Sequence, residues 1–249
     1  MTFDSDTYQH IFLLSHMRAN TSLISHILGS HNEISGYYEM HLSYVTENDL
    51  LKQEKELSDK KVGQDLIKSS TKYLFDKLLH NDYDLVLENL SSKKIKILVS
   101  IRPAEQTLKS IINLFRNKNN GHPYADPEQV VHYYIERITA LAKFCTHYRD
   151  NYYYYDADLI RTKPQETLAR IKNWLSLKTP LTDQYQIFSL TGQAGAGDSS
   201  ENMKKGRIIQ SRTNYKDIKI PSHLLQKAIT ETRQHKHFIS TNAIEAITF

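Results

Sequence analysis

The sequence predicts a three-layer α/β/α fold around a mainly parallel central sheet, and three observations predict it. The short continuous apolar run Ile11-Phe12-Leu13-Leu14 reads as a buried parallel strand, and Ile95-Lys96-Ile97-Leu98-Val99 reads as a further strand. Segments with helical apolar spacing alternate with these runs, the order that a parallel sheet covered on both sides produces. The chain has 249 residues, 39% of them hydrophobic and 24% charged, which is ordinary globular usage and suits one domain spanning 1–249.

Each element follows in order. After the first strand comes the polar stretch Ser15 to Asn20, and then Leu23, Ile24, Ile27 and Leu28 at helical spacing, with Asn20 or Thr21 as the cap. Tyr37-Tyr38-Glu39-Met40 reads as a second short strand. From Asp59 to His80, the positions of Val62, Leu66, Tyr73, Leu74 and Leu78 describe an amphipathic helix. Leu85-Val86-Leu87 and Ile95 to Val99 are further strands, the second running out at Ile101-Arg102-Pro103. A helix through Leu108, Ile111, Ile112 and Phe115 follows, then a longer one from Pro127 to Tyr148. Tyr152 to Tyr155 is an aromatic strand, and Pro164 to Leu175 a helix with Leu168, Ile171 and Trp174 inward. Thr191 to Arg212 is a long polar interruption, and loops of that length are usually functional or mobile.

Composition narrows the function. The net charge of +4, from 32 basic and 28 acidic residues, suits an anionic ligand but is too small to argue for nucleic acid. The single cysteine, Cys145, lies in a helical apolar pattern and reads as core in a reducing compartment. The polar start of the chain is unlike a secretory signal, and no apolar stretch approaches the ~20 residues of a membrane helix. A soluble, cytoplasmic protein is expected.

Ligands of open α/β sheets gather at the carboxyl ends of the strands. The loop Ser15-His16-Met17-Arg18-Ala19-Asn20-Thr21-Ser22 falls there, making a P-loop-like first strand–loop–helix. The helix start offers unpaired N–H groups and the positive end of a dipole, Arg18 adds a fixed charge, and Thr21 and Ser22 add hydroxyls. The plainer alternative is a capped helix beside a solvated arginine. The lysine-bearing loop of phosphate-binding NTPases is absent. A second anion site is expected where Arg102 ends its strand and Ser110 follows eight positions later.

Taken in order, these motifs resemble those of the sulfotransferases that depend on 3′-phosphoadenosine 5′-phosphosulfate (PAPS). Arg18-Ala19-Asn20-Thr21-Ser22-Leu23 is similar to the family's Arg-Ser-Gly-Thr-Ser/Thr-Leu, with Asn20 at the usual glycine, and Arg102-Pro103 with Ser110 loosely matches its second signature. Tyr155-Asp156-Ala157-Asp158-Leu159 looks like the Tyr-Glu-Asp-Leu segment, and Gly197 to Arg207 like the glycine- and lysine-bearing loop over the cofactor. The resemblance implies that Arg18, Ala19, Asn20, Thr21 and Ser22 hold the 5′-phosphosulfate. It likewise implies that Arg102 and Ser110 hold the 3′-phosphate, with Lys204, Lys205, Gly206 and Arg207 assisting. Tyr152 to Tyr155 read as sheet packing, with a place near the adenine as the alternative for Tyr155.

Sulfuryl transfer needs an in-line acceptor, charge stabilisation and a base, and it demands no metal. Glu39 or His41 is the expected base, at a position where glycan-modifying members carry a glutamate. Glu88 is the rival, in the region where cytosolic members carry histidine, and His16 is a candidate for contacting the sulfuryl oxygens. Both Glu39 and His41 also read simply as exposed polar groups at a strand end. The acceptor is expected to be a small molecule or a glycan, modified at a hydroxyl or amine. The competing readings are a nucleotide-binding kinase-like enzyme of related fold and a catalytically inactive PAPS- or nucleotide-binding module.

Overall fold

The first apolar run becomes the middle of the sheet. In the computed structural model, which describes residues 8–59, 67–91, 95–118, 121–193, 198, 200–210 and 215–249, β1 (Gln9–Leu14) lies between β3 (Tyr73–Leu78) and β4 (Ile95–Ile101). With β2 (Ile34–Ser35), β5 (Tyr153–Asp156) and β6 (Glu245–Ile247), the order is β2-β3-β1-β4-β5-β6, and every pairing is parallel. This is the expected three-layer α/β architecture.

Alternation along β1 shows why the run is continuously apolar. Ile11 and Leu13 face one layer, packing with α1 (Thr21–Ser30) and α6 (Pro164–Trp174). Phe12 and Leu14 face the other, with Leu141 and Cys145 of α4 (Pro127–His147) and Ile239 of α7 (Ser222–Thr241). A strand covered on both sides has no polar face to offer. Each such fully buried side chain contributes about 1.5–3 kcal/mol. The remaining helices are α2 (Glu47–Ser58), α3 (Ala104–Lys118) and the short α5 (Leu159–Thr162).

Several expectations are corrected. Residues Tyr73 to Leu78 form a strand, buried at all six positions, and not the end of a helix from Asp59. Their apolar residues satisfy either period, and the adjacent charges Asp76 and Lys77 mimic a helix's solvent face, yet both are buried. Val62 and Leu66 lie outside the described residues. The second strand is Ile34–Ser35, before the Tyr37–Met40 run expected. Gly36 turns the chain out of the sheet at φ +103, where a Cβ would come within 2.3 Å of the Phe75 carbonyl oxygen. At Leu85 only a bridge to Tyr44 forms, and Leu87–Asn89 is a turn of 3₁₀ helix. Helices α2 and α7 and strand β6 were not read from the sequence. The capping box of α2, Thr46 with Asp49, was the available signal.

Topology then positions the site. From β1 the chain passes to β2 and β3 on one side, then crosses over to β4 on the other. The loops leaving β1 and β4 therefore diverge at a topological switch point, where such sheets open a crevice. Among the described residues, no helix is long and apolar enough to cross a membrane.

Candidate functional site

The loop after β1 is held open by its backbone. Arg18 and Asn20 both adopt left-handed conformations, φ 62 and φ 58. Asparagine tolerates that region better than most residues, which explains how it can stand where a glycine is common. Asn20 does not cap α1 with its side chain. Its amide nitrogen instead donates to the Ala157 carbonyl and to Asp158, each at 3.0 Å, and its carbonyl oxygen accepts from Arg161 Nε at 2.9 Å. The first turn of α1, with Thr21 and Ser22, is left to offer its N–H groups to the cavity beyond.

That cavity has a volume of about 630 Å³ and is bounded by the guanidinium groups of Arg18, Arg102 and Arg161. Arg18 Nε donates to Ser110 Oγ at 2.9 Å, and its Nη1 pairs with Asp198 at 3.1 Å. Tyr215 also donates to Ser110 Oγ, at 3.2 Å. Arg102 Nε pairs with Asp158 at 2.8 Å, while Nη1 donates to the Arg18 carbonyl at 3.2 Å and Nη2 to Gln106 at 3.1 Å. Three fixed positive charges thus face two carboxylates. Burial opposes ionisation of Asp198, but the Arg18 guanidinium beside it holds its carboxyl below the ordinary value. The excess positive charge, the free helix start and the hydroxyls of Thr21, Ser22, Ser110, Ser200 and Tyr215 form a donor set for a polyanion.

The expected anion-binding residues come together incompletely. Arg18, Asn20, Thr21, Ser22, Arg102 and Ser110 all line the cavity, with Ala19 buried beneath. Arg102 and Ser110 are not joined directly, because Arg18 reaches between them. Tyr155 packs in the core. It is fully buried in the layer of α1 and α6 and does not line the cavity. Lys204, Lys205, Gly206 and Arg207 also stand outside the lining, which Ser200 and Asn202 of the same segment join. Gly206 bends at φ +63 to bond Tyr185, and this turns the lysines outward, Lys204 pairing with Glu201 at 2.7 Å. Gly197 and Ser199 lie outside the described residues.

The candidate bases separate. Glu39 is buried, and its Oε1 has no hydrogen-bond partner. His41 Nδ1 at 3.9 Å and His80 Nε2 at 3.8 Å lie beside that oxygen. Glu88 is exposed and bonded by His147 and Tyr148, where α4 ends and the chain turns back toward the start of β5. That is the amino end of the sheet, away from the cavity. His16 is buried with both ring nitrogens engaged by backbone, so neither faces the cavity.

Two functional candidates were missed. Lys77, near the carboxyl end of β3, is wholly buried with Nζ 3.5 Å from Ser22 Oγ. Burial pushes its ammonium down, and the charges of Glu39, Asp76 and Asp198 oppose that. A lysine inside an apolar run was its signal, obscured by the helical reading. Arg161 sits one turn beyond Asp158, just past the segment read as similar to Tyr-Glu-Asp-Leu.

The site now stands on a recognisable scaffold. No protein-family model matches this chain, and no curated protein does. Among solved structures, one described as "Sulfotransferase Domain from the Curacin Biosynthetic Pathway" aligns over 92% of this chain and 98% of that chain, with a TM-score of 0.62 and 17% sequence identity. The fold is sulfotransferase-like. At that identity the likeness speaks for the fold. In this sulfotransferase-like fold the arginine-lined cavity lies at the switch point, and Lys77 and Glu39 lie on the β3 side of Ser22.

Proposed function

We propose that this protein is a sulfotransferase that uses PAPS as donor and sulfates a hydroxyl or amine of a small-molecule or glycan acceptor. One observation carries the reading. An uncapped helix start, three arginines and the Ser22–Lys77–Glu39 path meet at the switch point of a sulfotransferase-like fold. The residues present fit a nucleotide with two separate anionic groups. Thr21, Ser22 and the first-turn amides of α1 would take one, and Ser110, Tyr215 and Arg102 the other, with Arg18 reaching both.

The bound donor supplies an activated sulfuryl group and a bisphosphate leaving group. Glu39 takes the proton from the acceptor at its unpartnered oxygen. With the donor bound, the Lys77 side chain beside Ser22 would supply positive charge to the transferring oxygens. Arg18 and the helix dipole favour the charge retained by the departing bisphosphate.

Calorimetric titration with adenosine 3′,5′-bisphosphate in the absence of magnesium tests the reading, with Arg18→Ala beside the wild type. Micromolar binding that the variant loses, unmatched by ATP, is expected. Absence of binding, or preference for ATP with magnesium, would overturn it in favour of a kinase-like enzyme. Binding with no transfer to any acceptor would leave an inactive module.

A further inference from the structure

His16 lies between the two arginine-bearing loops, and its bonds form part of a closed circuit. Its Nε2 is 3.0 Å from the Arg102 backbone nitrogen, and its Nδ1 is 2.9 Å from the Met17 carbonyl oxygen. An amide N–H can only donate and a carbonyl can only accept, so a single neutral tautomer serves both, with the proton on Nδ1. The Arg102 carbonyl oxygen accepts from the Tyr134 hydroxyl at 2.7 Å, and the His16 and Tyr134 rings meet edge to face at 5.0 Å. The Met17 N–H donates to the Tyr133 hydroxyl at 3.0 Å. Tyr133 and Tyr134 are consecutive on α4. The backbone of each loop is therefore held at its N–H and at its C=O, and His16 joins one loop to the other at the backbone, beside the bond from the Arg102 guanidinium to the Arg18 carbonyl.

We propose that His16 is a positioning residue that sets the spacing between the two anion sites, and through it the preference for an adenosine bisphosphate over a monophosphate. This rests on the reading of the cavity as a donor site. A ligand with one phosphate uses one loop and is indifferent to the spacing. A ligand with two gains its second contact only if the loops stand at the matching separation, so preorganising that separation selects the bisphosphate. His16 makes no contact with either anion. It acts through the Arg102 and Met17 backbones, and Arg102 and Arg18 carry the charge.

The test compares wild type, His16→Ala, His16→Asn and His16→Gln. Affinities for adenosine 3′,5′-bisphosphate and adenosine 5′-monophosphate are measured by calorimetry, and hydrogen exchange at the Arg102 amide by NMR. Glutamine keeps an acceptor for the Arg102 N–H, whereas asparagine keeps only a donor toward Met17. In the alanine and asparagine variants, bisphosphate affinity is expected to fall about tenfold with monophosphate affinity little changed, while glutamine restores it. Exchange at Arg102 should quicken in the same two variants. An unchanged ratio of the two affinities in His16→Ala, or unchanged Arg102 exchange, would overturn the strut while leaving the donor assignment intact. Failure of the wild type to prefer the bisphosphate would overturn the donor assignment and the strut's role in specificity together.

Discussion

Lys77 Nζ and Ser22 Oγ are 3.5 Å apart, linking the end of β3 to the first turn of α1 in a place closed to solvent. A lysine there serves structure poorly, because desolvating its charge costs several kcal/mol that a hydrophobic side chain avoids. Lys77→Met should therefore keep or raise the melting temperature. If the ammonium stabilises transferring oxygens, the same variant should lose about 10²–10³ in kcat, the scale of a lost oxyanion donor. Bisphosphate affinity should stay close to wild type, and thermal melting, calorimetry and acceptor turnover on one preparation decide the matter.

Glu39 combines burial with a carboxylate oxygen that has no hydrogen-bond partner. Such an oxygen is costly unless an acceptor supplies a proton donor. Glu39→Gln keeps the shape and removes the basicity, so turnover should drop by about 10²–10⁴ with bisphosphate binding unaffected. Glu88→Gln, at the opposite end of the sheet, should leave turnover unchanged. Equal losses in the two variants would remove Glu39 from the mechanism.

Asp198 occupies Arg18 in the same cradle that an anionic ligand must use. The pair is sheltered, with side chains 23% and 18% exposed, and contributes about 1 kcal/mol. A bound phosphate must displace that carboxylate. Asp198→Asn should then tighten adenosine 3′,5′-bisphosphate by roughly fivefold, with the gain diminishing as salt is raised. Weaker binding in the variant would mean that Asp198 orders the loop for the ligand instead of competing with it.

What the sequence disclosed about this site follows from how local each signal is. Arg18, Thr21, Ser22, Arg102 and Ser110 follow strands that are largely apolar, so strand, loop and helix could be read in one pass. Lys77 could not be read that way. Its position in a strand depends on pairing with β1, and Asp76 beside it is tolerated because Tyr44 donates to it at 2.7 Å and Met40 N–H at 3.1 Å from a distant segment. Arg161 owes its place to Asn20, 141 residues away. Lys204 and Lys205 were suggested by the resemblance alone, and they stand outside the cavity lining, Lys204 paired with Glu201. Residues brought in by tertiary pairing left no local signature.

Three buried groups shift in ways that should appear in stability against pH. Burial, chiefly, lowers His16 to about 3 and His26 to about 4, and raises Asp76 to about 7. Between pH 4.5 and 6 the unfolded chain protonates both histidines and the folded chain neither, while only the folded chain protonates Asp76. Two protons against one leave the unfolded state ahead by one. Stability then falls with acidification by about 1.4 kcal/mol per pH unit. His80, lowered mainly by burial, adds to that fall, and Glu54, raised by burial, opposes it. Removing one histidine balances the ledger of protons, so His16→Gln should flatten the profile in this window. Urea midpoints taken at pH 4.5, 5.25 and 6, chosen about the ordinary histidine value, give the slope for both proteins. A His16→Gln slope as steep as wild type would show that His16 titrates alike in the folded and unfolded chains, contrary to the lowering expected from burial of its ring.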